Sequence, residues 1–80
     1  MTRRISIERN PDRPVWEVRV DGTLAGMVWR ERGVFRAVRE GSSTPLGSRF
    51  TSRDAAARAL ARQAGHGDLD PRIEETRPRS

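Results

Sequence analysis

Val-Trp-Glu-Val-Arg-Val-Asp-Gly-Thr-Leu-Ala-Gly-Met-Val-Trp-Arg-Glu-Arg-Gly-Val-Phe-Arg-Ala-Val-Arg-Glu, residues 15–40, decides the fold, because it reads as two consecutive β-hairpins. Asp21-Gly22 between apolar runs is a strong hairpin signal, since a type I′ turn needs positive φ at both central residues. The second turn is read at Glu31-Arg32-Gly33, a three-residue loop whose final glycine takes the left-handed conformation.

Side-chain alternation then assigns faces. Val20 opposite Thr23 places Val18 against Ala25 and Trp16 against Met27. The second turn sets Trp29 across from Phe35 and Met27 across from Ala37. Together the turns predict a core face of Trp16, Val18, Val20, Ala25, Met27, Trp29, Phe35 and Ala37. The expected outer face carries Arg19, Arg30 and Arg36, with Val28, Val34 and Val38 between them and Glu17 beside them. A one-residue slip at either turn would exchange the faces.

Upstream, Arg3-Arg4-Ile5-Ser6-Ile7-Glu8-Arg9 alternates polar with apolar and predicts an edge strand with Ile5 and Ile7 inward. Asn10-Pro11-Asp12-Arg13-Pro14 reads as a connecting loop. Downstream, residues 41–48 are loop by composition and lack the Gly-Lys-Ser/Thr ending of a phosphate-cradling loop. Thr51 is the expected N-cap of a helix over Ser52–Gln63, with Asp54 as a weaker capping-box partner and Gly65 as the stop. Ala56, Ala59, Leu60 and Gln63 or Ala64 share one helical face, and Asp54 and Arg58 are spaced to pair at i, i+4. The predicted fold is therefore α+β: a four-stranded antiparallel meander with one C-terminal helix packed on one face. Residues 1–64 form the single domain, and residues 65–80 are expected to be a disordered tail.

With 80 residues, a third of them charged, the core must be thin. No cysteine is present, which excludes disulfide scaffolds and thiolate metal sites and suits a reducing compartment. No apolar run is long enough to span a bilayer, and the first residues lack the apolar stretch of a signal peptide, so a cytoplasmic location is expected. All 16 basic residues are arginine. Residues 1–40 and 41–64 are each net +3 and residues 65–80 net −1, together the chain's +5, so positive potential belongs to the folded part.

No catalytic constellation stands out, and an enzyme is not expected. His66 lies between glycines in the expected tail, where nothing would position it as a base. Asp68/Asp70 and Glu74/Glu75 read as a solvating patch rather than a metal site, and no cofactor is implied. Trp16, Trp29 and Phe35 are assigned to the core in preference to stacking on bases.

Binding is the remaining class. Arg19, Arg30 and Arg36 on a sheet face could meet phosphates or guanine edges, with Arg32, Arg3, Arg4 and Arg13 on flanking phosphates. Trp-x-Val-x-Val-Asp-Gly at 16–22 and Arg-x-x-Gly-x-Phe-x-Ala at 30–37, in a sheet followed by one helix, resemble the DNA-binding domains of plant ethylene-response factors and the arm-binding domains of tyrosine integrases. The likeness is one of layout and spans residues 3–64; the denser Arg-Gly pattern of the plant domains is missing. It implies Arg19, Arg30 and Arg36 as groove-facing residues of a small basic accessory protein that binds duplex DNA. The alternative is a protein-interaction module whose Arg/Val face meets an acidic protein or a second copy, as a homo-oligomer.

Overall fold

The computed structural model describes residues 2–47, 49–65 and 68–76, Thr76 by its backbone alone. Its elements are β1 (Arg3–Arg9), β2 (Val15–Val20), β3 (Thr23–Glu31), β4 (Val34–Arg39), α1 (Arg53–Gln63) and β5 (Leu69–Thr76). The strands form one sheet in the order β4-β3-β2-β1-β5. β1 to β4 are antiparallel neighbours, as the alternating pattern predicts, while β5 pairs with β1 in parallel. The α+β class holds, with a fifth strand added to the expected four.

The first turn has the expected conformation, with Asp21 at φ 51° and Gly22 at φ 85°. The second is one residue tighter than expected. Glu31 pairs with Val34, so only Arg32 and Gly33 lie in the loop, at φ 50° and 82°. A second departure lies within β3. Arg19 pairs with Leu24, but Val18 pairs with Gly26, leaving Ala25 as the extra residue of a β-bulge. The Ala25 carbonyl is not wasted; it accepts the Glu40 N–H at 2.9 Å.

These two one-residue shifts correct the expected faces. Beyond the bulge Trp16 pairs with Val28, Val28 with Ala37, and Trp29 with Arg36. Val28 therefore enters the core, fully buried, while Met27 and Trp29 turn to the outer face. Arg30 moves the other way, pairing with Phe35 on the helix side of the sheet. The close seating of α1 gives the physical reason. Three of its four buried residues are alanine, so the helix lies near the sheet, with room beneath it for Val28 and Ala37 rather than for an indole ring.

The core joins Ile5, Ile7, Val18, Val20, Ala25, Val28 and Ala37 of the sheet to Ala56, Ala57, Leu60 and Ala61 of the helix. Trp16 and Phe35 sit at its margin, their ring centroids 6.1 Å apart. The helix starts one residue later than expected: Ser52 is the N-cap, its Oγ accepting the Ala55 N–H at 3.1 Å. On docking, Ala57 and Ala61 rather than Ala59 and Gln63 or Ala64 join Ala56 and Leu60 on the buried face. Asp54 lies 3.8 Å from Arg53, and Arg58 donates instead to the Pro71 carbonyl.

Residues 69–76, expected in a disordered tail, form β5. Ile73 sits opposite Ile5 and packs against the core. Arg53 donates to both carboxylate oxygens of Glu75, at 3.0 and 3.3 Å, and Arg4 approaches Glu74 at 3.3 Å. Two apolar residues in eight give no alternating pattern, so the strand depends on partners distant in sequence. At the opposite edge, Phe50 exchanges backbone hydrogen bonds with Phe35, at 2.8 and 3.0 Å, and Leu46 donates to Ala37 at 2.8 Å. Leu46 and Phe50 thereby cover part of the β4 edge. His66 and residues 77–80, also read as tail, lie outside the described residues.

Candidate functional site on the outer face of the sheet

Strand register lays out the face opposite the helix. In one row Arg36, Trp29 and Val15 stand side by side across β4, β3 and β2. Val38, Met27, Glu17 and Glu8 form the next row, and Leu24, Arg19, Ser6 and Glu74 the one after. Glu31 and Val34 close the near end. Val15, Leu24, Met27, Trp29, Val34 and Val38 are each only half-buried, and among the described residues no element crosses them. They make a continuous apolar strip centred on Met27 and Trp29.

The charges around this strip pair with one another. Arg19 meets Glu17 at 2.9 Å, Arg36 meets Glu31 at 3.6 Å, and Arg4 meets Glu74 at 3.3 Å. Glu17 also accepts from the Asn10 amide at 3.1 Å. Among the described residues the face holds Arg4, Arg19, Arg36 and Arg72, the last beside inward Ile73, against Glu8, Glu17, Glu31 and Glu74, in a chain whose net charge is +5. Of these arginines, Arg19 is hydrogen-bonded to its carboxylate, whereas Arg36 and Arg4 form looser pairs with half-exposed glutamates.

The residues expected to hold nucleic acid do not gather on one surface. Arg19 and Arg36 are on the outer face as expected; Arg30 is on the opposite one, a correction that follows from the bulge and the tighter turn. Arg3 and Arg4 lie beside the Asp21-Gly22 turn, with Arg3 at 3.5 Å from Asp21. Arg13 and Arg32 lie at the other end of the sheet, roughly 20 Å away by the rise of a seven-residue strand. There Arg32, Arg36 and Arg49, with Glu31 and Val34, line a hollow of about 460 Å³. Arg49 was not among the expected site residues, since a lone arginine in a polar loop carries no signal of where the loop docks.

Trp29 and Met27 are the other additions. Gly26 inside the strand pattern was the one hint, since a strand glycine often accompanies a bulge, but it does not say that a bulge forms or which residue is extra. Trp16 plays a different part. The Arg9 and Arg53 guanidinium groups lie 5.1 and 5.5 Å from its ring centroid, and Arg53 carries on to Glu75, so Trp16 belongs to the joint between α1 and β5.

No protein-family model, curated protein or solved structure matches the chain. Among the described residues no group of three or more His, Cys, Asp or Glu is placed to hold a metal ion, and no helix is long and apolar enough to cross a membrane.

Proposed function

We propose that this chain is a small, non-catalytic protein-interaction module that engages its partner with the outer face of the sheet. One observation carries the reading: six apolar residues, Trp29 and Met27 at their centre, lie half-exposed together while the charges around them pair internally. Contiguous apolar surface on a small domain marks interaction sites, and Trp, Met and Arg are enriched in interface cores. Duplex DNA would meet four carboxylates there, and Arg4, Arg19 and Arg36 would each have to exchange a glutamate for a phosphate. The cysteine-free composition suits work in the cytoplasm.

Site-specific photo-crosslinking in the producing cell tests this reading. A crosslinker at Val38 should give a defined adduct that one at Arg62, on the exposed side of α1, does not. Equal yields from both positions, or none from Val38, would reject the outer face as the binding surface.

A second reading keeps duplex DNA as the partner but moves it to the β3–β4 end. The hollow lined by Arg32, Arg36 and Arg49 favours it, as does the lack of an ion-pair partner for Arg13, Arg30, Arg32 and Arg49 among the described residues. Binding to a mixed-sequence duplex, followed by fluorescence anisotropy, should then weaken steeply with salt. It should be lost in the Arg32→Ser/Arg49→Ser variant and kept in Arg19→Ser. No binding at low salt removes this reading.

A further inference from the structure

We infer that the occupant of the outer face is a second copy of this chain, the two sheets stacking face to face as an isologous dimer. The inference rests on the interaction-module reading and names its partner. Charge is the first argument. Each copy carries +5, so two copies repel across most of their surfaces. The outer face is different: its arginines and glutamates, four of each among the described residues, offer both signs around an apolar centre. An isologous contact presents the same patch from both sides, so each ring of mixed charge meets another of mixed charge. An acidic partner would instead be steered to the arginine-rich remainder.

Size is the second argument. Five strands spaced about 4.8 Å apart and about 20 Å long present roughly 480 Å² in projection, near 1,000 Å² for a pair, the lower bound of a specific interface. An interface at that bound belongs to the weak, transient class, for which we take a dissociation constant on the order of 10–100 µM. Core content is the third. Of the eleven buried apolar residues among those described, five are alanine, so one copy buries little bulk by itself. Stacked as an aligned sandwich, the two faces would enclose Trp29, Met27 and the four flanking residues of each copy in a second core.

Sedimentation of the full chain over a concentration series tests the dimer. Mass should rise from 9.0 kDa toward twice that value, and added salt should tighten association by screening the like net charges. Met27→Arg and Trp29→Ser should each weaken it at least about tenfold with circular dichroism unchanged, because both side chains lie outside the monomer core. Association that persists in both variants would overturn the inference by placing the contact elsewhere. A chain that stays monomeric at about 0.5 mM, well above the expected constant, would also overturn it. In that last case a Val38 adduct with a different protein would leave the interaction-module reading standing, while no adduct would end both.

Discussion

Leu60 is seated directly over Gly26: a Cβ built on Gly26 would lie 2.9 Å from Leu60 Cδ2 and 2.2 Å from the Val38 carbonyl oxygen. The one leucine of the helix thus occupies the gap that the bulge opens in β3, and the missing side chain is what lets helix, β3 and β4 meet. Gly26→Ala should destabilise the fold by roughly 2–4 kcal/mol, since backbone oxygen cannot yield as a flexible side chain can. Denaturant midpoints would show it, with Gly47→Ala, which meets nothing within 4 Å, changing stability by less than about 0.5 kcal/mol.

Register can be tested by adjacent residues of β3. Val28 is fully buried and Met27 half-buried on the other face, so Val28→Ala should cost roughly 2–3 kcal/mol. Met27→Ala should cost less than about 1 kcal/mol when measured at protein concentrations too low for dimerisation. The reverse ranking would restore the register with Met27 and Trp29 in the core.

Asp21 joins the β2–β3 turn to β1. Its Oδ1 accepts the Arg4 N–H at 2.9 Å, and its backbone sits at φ 51°. Asp21→Ala removes the acceptor and places an alanine in the left-handed region, at an expected cost of roughly 1.5–3 kcal/mol. Asp21→Asn keeps an acceptor and a side chain that tolerates this conformation, and should cost less than half as much in the same unfolding titration.

β5 is held by Ile73 against the core and by the two hydrogen bonds from Arg53 to Glu75. Ile73→Ser should therefore release β5 while the other four strands persist. Native-state hydrogen exchange should then accelerate in the β1 amides that face β5, with protection in β3 unchanged. Uniform loss of protection would mean that β5 belongs to the global folding unit.

Much of this architecture was legible because it is local. Asp21-Gly22 announced its turn through the positive φ it needs, and Ile5 and Ile7 announced their face through alternation. The helix was legible from its alanines, although its cap lay at Ser52 rather than Thr51, where two good capping residues stand side by side. The candidate site was harder to read. Arg19 and Arg36 were placed on the correct face, yet their pairing with Glu17 and Glu31 depends on rotamers and cross-strand neighbours that spacing alone does not order. Trp29 was assigned inward because the 31–33 turn was read one residue too long and the bulge at Ala25 was not foreseen.

The sequence by itself determined that this chain forms antiparallel hairpins closed by one alanine-rich helix, because turn dihedrals, strand alternation and helix propensity act within a few residues. Only the tertiary structure decided which way Met27 and Trp29 point and that residues 69–76 add a parallel strand. The first depends on an extra residue at Ala25 that lets Leu60 settle over Gly26, and the second on Ile73 and Glu75 meeting Ile5 and Arg53. In both cases the deciding contacts join segments far apart in the chain, so their energies appear only once the helix has docked on the sheet.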